Sequence, residues 1–356
     1  MTSPPTEPPS RTGAAPRGAL TGLAAAALFG ASTPVAKLVL PETGPLVLAG
    51  LLYVGAGAGL LAGAPLRRGA AEAPLRRSDL PTLAAVILAG GIVGPALLVA
   101  GLGRLPGGTA ALLLNLEAPF TVALAVLLLR ERLSRRELAG AIAIVAGAAA
   151  LASGRGEGHV DLVGVACVIA ACAAWAVDNA LSQRLSIRDP VAVARVKGIV
   201  AGAFNLTLGL LVGERLPPAG RTVAALATGA LGYGVSLVLH LLAVRSVGAA
   251  RQAAYFSTAP FIGALAAIPL LGERFGAAHL LAGALMAAGL AALLGVRHGH
   301  RHAHDALEHE HAHAHDEHHD HAHDGPMPEP HSHPHRHAAL VHDHPHLPDA
   351  HHRHTH

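Results

Sequence analysis

The sequence predicts an all-α membrane protein with ten transmembrane helices in two inverted five-helix repeats, followed by a disordered His-rich C-terminal tail. Three observations predict it. The 356 residues are 52% hydrophobic and 14% charged, with a mean hydropathy of +0.44, too apolar for an ordinary soluble chain of this Ala/Leu/Gly/Val-rich usage. Ten apolar stretches of roughly the 20 residues that cross hydrocarbon follow one another. One block also occurs twice, from Arg104 through Ala118-Pro119-Phe120 to Glu131-Arg132, and from Arg245 through Ala259-Pro260-Phe261 to Glu273-Arg274. Arg-to-Pro spacing is 15 residues in both copies, and Pro-to-Glu spacing is 12 and 13. A long apolar chain built as two related halves is how inverted-repeat membrane proteins are made.

The stretches are 18–40, 45–64, 80–102, 106–129, 138–153, 162–182, 191–212, 222–243, 252–271 and 277–296. The fifth is short and begins inside Arg136-Glu137. Only Gly103-Arg104-Leu105 separates the third from the fourth, so those two form a tight hairpin. The domains are a disordered N-terminus over 1–17, a first repeat over 18–153, a second over 162–296, and the tail over 297–356. The segment after Arg17 is too long for a secretory signal and carries Pro34 and Lys37, so it reads as a retained first span. Aromatics are only 3% of the chain, which argues against an aromatic-packed soluble core. Cys167 and Cys172 fall on different helix faces, which argues against a disulfide and reads them as small packing residues.

Arginine placement sets the expected orientation. With the N-terminus cytoplasmic, inside loops hold Arg67, Arg68, Arg76, Arg77, Arg130, Arg132, Arg135, Arg136, Arg184, Arg188, Arg245 and Arg251, against Arg104, Arg155, Arg215, Arg221 and Arg274 outside. The chain is expected to be a multi-pass protein of the plasma (inner) membrane with both termini cytoplasmic. Five spans per half is odd, so the second half enters upside down. The arginines flank apolar stretches and form no single basic face, so no nucleic acid is expected. No P-loop is present, which argues against direct ATP drive.

Two motifs carry a family resemblance. Phe29-Gly30-Ala31-Ser32-Thr33 and Trp175-Ala176-Val177-Asp178-Asn179 match an aromatic-small-x-polar pattern, the second without its glycine. Pro119 to Glu131-Arg132 and Pro260 to Glu273-Arg274 match a Pro-x(12–13)-Glu-Arg pattern. Over 18–296 the chain resembles the EamA family of the drug/metabolite transporter superfamily. The resemblance implies ten helices, secondary transport of a small solute, and no enzymatic activity, without naming the cargo. An enzyme is also disfavoured by the lack of a nucleophile, base and oxyanion set.

Ionisable groups cost about 2.5–3.5 kcal/mol inside hydrocarbon, so each marks a partner or a watery passage. Glu117 lies mid-span beside Pro119, which frees the carbonyl of Asn115; Asn115 and Glu117 are candidates to line a polar cavity. The plain alternative for Glu117 is a structural partner for Lys37 or an arginine. Asp178 and Asn179 are further candidates, against a snorkelling Asp178 or a pair with Arg184. His240 is a candidate against simple helix-helix hydrogen bonding. Tyr255 and Ser257 make the second copy more polar before Pro260. Lys37 is expected to snorkel, His279 to be interfacial, and Arg195 with Lys197 to anchor the seventh span at the interface. Glu131-Arg132 and Glu273-Arg274 are expected to cap and anchor helix ends.

The tail holds 23 of the 26 histidines, mostly at every second position. His298, His300, His302, His304, His309, His311, His313, His315, His318, His319, His321 and His323 are candidate metal ligands. Alternate residues share one side of an extended chain, and neutral imidazole suits zinc, nickel, cobalt or copper. Asp316, Asp320 and Asp324 offer oxygen ligands, while the prolines argue against a fold. A low-complexity tail without a role is the alternative. No cofactor is required; a divalent metal on the tail is expected. Partners are the bilayer and a small-molecule or ion substrate, with a homodimer left open. Three functional classes follow: a transporter of a metabolite, drug or metal-linked solute with a metal-binding tail; a divalent-metal transporter fed or gated by the tail; and a membrane-anchored metal buffer or sensor.

Overall fold

The computed structural model describes residues 14–63, 73–129, 134–153, 161–185, 188–247, 249–294, 298–304, 307–313, 331–337 and 340–346. Each predicted apolar stretch is helical. α1 (Ala14–Val39) begins four residues before the expected start and meets α2 (Pro45–Gly63) through a 3-10 turn. α3 runs Arg77–Leu102. α4 is Gly107–Leu113 plus Glu117–Leu129, broken by a 3-10 turn at Leu114–Leu116. α5 (Arg135–Ala152) closes the first half. α6 (Leu162–Ser182) and α7 (Pro190–Leu211) open the second. α8 comprises Ala219–Gly229, a π-helical segment Ala230–Val235, and Ser236–Val247. α9 is Ala249–Phe256 plus Ala259–Leu271, and α10 is Ala277–Leu294.

Among the described residues, nine helices are long and apolar enough to cross a membrane. The expected tenth, α5, is a helix of 18 residues whose first turn carries Arg135, Arg136 and Glu137. Those three charges leave too short an uncharged stretch. The charged turn is instead a cap: Glu137 N donates to Ser134 Oγ (3.2 Å) and Ser134 N to Glu137 Oε2 (2.8 Å). Such a box contributes about 1 kcal/mol.

The two halves break in the same places. α3 holds a π-helical segment at Ile87–Val93, as α8 does at Ala230–Val235. α4 and α9 are both interrupted just before Pro119 and Pro260. Proline has no N–H and clashes with the carbonyl four residues back, here those of Asn115 and Phe256, so neither helix runs regularly through it.

Equivalent helices meet antiparallel. Along α2 and α7, a Cβ on Gly50 would lie 2.5 Å from Leu206 N, one on Gly57 2.9 Å from Ile199 N, and one on Gly209 2.9 Å from Val47 N. α5 and α10 touch as closely: a Cβ on Gly140 would lie 2.7 Å from Gly289 O, and one on Gly289 2.5 Å from Gly140 O. Only small residues permit such approach, which substitutes for a hydrophobic drive in lipid. The first helix of each half crosses into the other: α1 packs on α8 and α9, and α6 on α3 and α4. Outward leucines such as Leu127, Leu162, Leu211 and Leu280 are 67–78% exposed, as a lipid-facing surface demands.

In the tail the sequence predicts no fold. Four seven-residue segments are nonetheless extended and paired: β1 (His298–His304) with β4 (Leu340–His346), and β2 (Leu307–His313) with β3 (His331–His337), both antiparallel. The strict alternation of histidine has the two-residue period of a strand. His315, His318, His319, His321 and His323 lie outside the described residues, as do Glu131 and Arg132.

Candidate functional site

A π-helical segment shifts the hydrogen-bond ladder and leaves carbonyls available. In α3 these are used at once. Gly90 O accepts from Tyr53 Oη (2.7 Å) and Trp175 Nε1 (3.1 Å), and Gly91 O from Asn205 Nδ2 (3.1 Å). Glycine is needed at position 90, because a Cβ there would lie 2.0 Å from Asp178 Oδ2.

Asp178, buried on α6, is paired with Lys197 Nζ of α7 and accepts from Ser182 Oγ at 3.3 Å. The neighbouring Asn179 donates to Glu117 Oε1 of α4 (2.6 Å), and Glu117 lies within the fields of Asp178 and Lys197. Two carboxylates, one ammonium and one amide therefore meet where α3, α4, α6 and α7 converge. The second half repeats the frame without the charge: Gly232, in the π-helical segment of α8, faces Ser32 of α1, whose Cβ lies 2.5 Å from where a glycine Cβ would stand.

Aromatic rings are few, yet four of them and an imidazole form one run. Tyr53 lies 5.6 Å from Tyr233, Tyr233 5.6 Å from Phe29, Phe29 5.2 Å from Phe256, and Phe256 5.0 Å from His240. The run crosses α2, α8, α1 and α9 and begins at the Tyr53–Gly90 bond beside the ionic group. An apolar wall with a few convergent polar groups is how small-molecule sites are built.

The structure thus unites three predicted residues, Glu117, Asp178 and Asn179. Asn115 stands apart: its Nδ2 donates to Leu112 O (2.9 Å) and lies 3.8 Å from Met286 Sδ of α10. His240 Nδ1 is 3.1 Å from Gln252 Nε2, a helix-to-helix bond. Tyr255 and Ser257 sit at the break in α9, where Ser257 Oγ donates to Ala254 O (2.7 Å) and Thr258 Oγ1 to Tyr255 O (2.6 Å). Lys197 turns its ammonium to Asp178, so the partner of Asp178 is Lys197 rather than Arg184. Sequence reading missed Tyr53, Asn205 and Gln252, and gave Lys197 only an anchoring role. Lys197 and Asn205 fall at i and i+8 with the small Ala201 between them, so two polar residues on one side of α7 were legible.

The opposite end of the bundle is latched. Lys37 does not snorkel; its Nζ donates to Leu102 O (2.6 Å) and to Leu105 O, tying α1 to the α3–α4 turn. Glu273, from the repeated motif, accepts from Gly107 N (2.5 Å) and Gly108 N (2.8 Å), so it caps α4 of the other half. Glu214 does the same for α2, through Leu46 N (3.3 Å) and Val47 N (2.8 Å). His279 is buried within the bundle, with Nε2 3.0 Å from Thr109 Oγ1. At the ionic-cluster end, Arg188 and Asp79 pair at 2.7 Å. Among the described residues of the helical body no group of three or more His, Cys, Asp or Glu is placed to hold a metal ion.

Comparison with known proteins agrees with this architecture. The profile of the EamA-like transporter family matches residues 16–153 and 162–295. An uncharacterized transporter of Methanothermobacter thermautotrophicus is 29% identical over 296 residues, 78% of this chain and 85% of that protein. The threonine/homoserine exporter RhtA of Escherichia coli K12 is 32% identical over 152 residues, 40% of this chain and 50% of the exporter. A probable amino-acid metabolite efflux pump of Salmonella typhimurium is 27% identical over 203 residues, 52% of this chain and 67% of the pump. One solved crystal structure shares the fold, with a TM-score of 0.57 at 21% identity, covering 78% of this chain and 95% of that one. Two matched halves, each with the same broken helices, make this chain a multi-pass member of the EamA family of the drug/metabolite transporter superfamily.

Proposed function

We propose that the protein is a secondary transporter that exports a small zwitterionic metabolite of the amino-acid type by alternating access. The observation that carries this reading is the Glu117–Asn179 pair beside Asp178–Lys197 at the foot of the aromatic run. A zwitterion presents one ammonium and one carboxylate. It can exchange for the internal pair, its ammonium taken by Glu117 or Asp178 and its carboxylate by Lys197, so no charge is left bare in lipid. The amino-acid cargo named for two relatives supports the same class. The frame suits alternating access, since two oppositely inserted halves exchange roles as a passage opens to either side.

Glu117 and Asp178 carry the coupling to protons in this reading. The test is counterflow of labelled threonine, homoserine and other amino acids in proteoliposomes, with and without a proton gradient. Saturable counterflow that Glu117→Gln and Asp178→Asn abolish is expected. Counterflow unchanged by both substitutions removes the site; flux indifferent to the proton gradient removes the coupling.

The protein resides in the plasma (inner) membrane with both termini cytoplasmic in this reading, and its tail binds zinc, nickel, cobalt or copper there. The arginine bias and the 23 tail histidines support it. Reporter fusions at residue 296 test the side; metal titration of the full chain against one ending at 296 tests the tail. The body offers no observation that favours conduction of a naked metal ion.

A further inference from the structure

The tail strands are paired in a way that histidine alternation alone does not dictate. Two strands with histidine at every second position can meet in phase, histidine opposite histidine, or out of phase. Here they meet in phase. Partners are His298 with His346, His300 with His344, and His302 with His342 in one ladder. In the other they are His309 with His335, His311 with His333, and His313 with His331. Twelve of the fourteen strand histidines stand opposite another; the exceptions, His304 and His337, face Leu340 and Leu307. The intervening positions match as well, with Arg301 opposite Asp343 and Glu308 opposite Arg336. From His304–Leu340 to Leu307–His337 both strands advance equally, so the two ladders share one register.

Resting on the reading that the tail binds metal, we propose that it is a metal-closed β-hairpin, each ladder holding one divalent ion of the zinc, nickel, cobalt or copper class between successive in-register histidine pairs. Opposed positions in an antiparallel ladder lie about 4.5–5.5 Å apart, and the next pair on that face about 7 Å along. Two successive pairs therefore gather four imidazole-bearing positions in a patch that fits one coordination sphere, with metal–nitrogen bonds of about 2 Å. A two-stranded hairpin is marginal in water by itself, so binding supplies the free energy that closes it. Pro334 and Pro345 are compatible, because each strand of a two-stranded ladder has a free edge. The device differs from a flexible sponge in one respect: cross-strand phase matters, as well as histidine content.

A phase-shifting variant tests it in the full-length chain. Val341→His, His342→Val, Asp343→His, His344→Asp, Pro345→His and His346→Pro together preserve composition and the i, i+2 spacing but move these histidines to the other face of β4. Zinc affinity is read by competition with a chromophoric chelator, and site geometry by the visible spectrum of bound Co²⁺. The hairpin requires the variant to lose one of its two tight zinc sites, with affinity there weakened about tenfold or more. It also requires loss of half the intense four-coordinate Co²⁺ absorption. Unchanged zinc affinity and spectrum overturn the hairpin while leaving a metal-binding tail standing. Zinc uptake equal to that of a chain ending at residue 296 overturns both.

Discussion

Removing the carboxylate of Asp178 tests the centre of the site most directly. The Asp178 side chain is 7% exposed and that of Lys197 18%, so both are largely shielded from water. Asp178→Asn leaves the ammonium of Lys197 without its direct partner, with Glu117 as the remaining carboxylate of the cluster. Breaking a buried pair from one side costs about 3–5 kcal/mol. The insertion penalty for a lone charge at a helix centre, about 2.5–3.5 kcal/mol, gives the same scale by a separate route. Lys197→Met alone strands the carboxylate and loses a similar amount. The double variant strands neither member of the pair, leaves Glu117 its Asn179 donor, and lets Met fill the space of the lysine stem against Gly91, whose added Cβ would meet Lys197 Cγ at 3.4 Å. It should recover most of the loss, giving a coupling of at least about 2 kcal/mol.

The assay is the thermal midpoint of detergent-purified protein for the four members of the cycle, with counterflow run on the same preparations. Structure and transport then separate. If the pair only holds α6 to α7, the double variant regains stability and flux together. If the pair is exchanged for the zwitterion, stability returns and flux does not. Additive losses of midpoint, with no recovery in the double variant, would falsify the assigned ion pair and with it the argument for the site.

Four further outcomes follow from the geometry. Glu273→Ala leaves Gly107 N and Gly108 N without their acceptor; the lost cap should cost about 0.5–2 kcal/mol and raise labelling of a cysteine placed at Leu105 from the α3–α4 side, whereas unchanged labelling would mean the cap is not a latch. Gly289→Val drives a side chain into Gly140 O, and the overpacking of α5 on α10 should cost roughly 1–3 kcal/mol, seen as a lowered midpoint that Gly289→Ala reproduces in part. Phe29→Leu opens the middle of the aromatic run and should raise the half-saturating substrate concentration more than it lowers maximal flux; the reverse pattern would place the rings outside the binding surface. Asp161, at the start of α6 and outside the spans, is held below the usual carboxylate range first by Gly164 N–H and then by Arg104. Its folded value is the depressed one, so its contribution is full above about pH 4 and fades as pH falls through the folded value; Asp161→Asn should be less stable than the parent at pH 7 and converge with it in acid.

The sequence displayed its fold because hydrocarbon imposes a length and a composition that repeat ten times, and because the doubled Pro-to-Glu block marks the same break in α4 and α9. It displayed Glu117, Asp178 and Asn179 for a related reason: polar groups within apolar runs are costly, hence few and visible. Lys197 was hidden by its position, since a cation eight residues into a span reads equally well as an anchor. Its partner is set by which helices adjoin, a tertiary fact. Tyr53 and Asn205 were hidden more deeply. Their acceptors, Gly90 O and Gly91 O, exist because α3 departs from α-helical geometry over Ile87–Val93, and a Gly-Gly step in a helix announces weakness without saying which way the ladder slips. The role of Glu273 was half legible. Capping was foreseeable from a glutamate at a helix end, but the helix it caps belongs to the other half.

That crossing between halves bears on how the chain sits in its membrane. Two copies of a unit can be related by an axis along the membrane normal or by one lying in the plane. In the first case equivalent helices that touch must run parallel, in the second antiparallel. α2 meets α7 with Val47 near Gly209 and Gly57 near Gly198, and α5 meets α10 with Gly140 near Gly289 and Gly147 near Ala282. As one number rises the other falls in both pairs, so the axis lies in the plane and the halves are inverted. Each end of the bundle is consequently built from the same parts in exchanged roles. The exchange is incomplete at the ionic group: where α6 sets Asp178 against Gly90, α1 sets Ser32 against Gly232. A symmetric frame with its charge on one side gives the two ends different electrostatics, so the two half-reactions of a transport cycle differ in rate, while the gradients across the membrane set the direction of net flux.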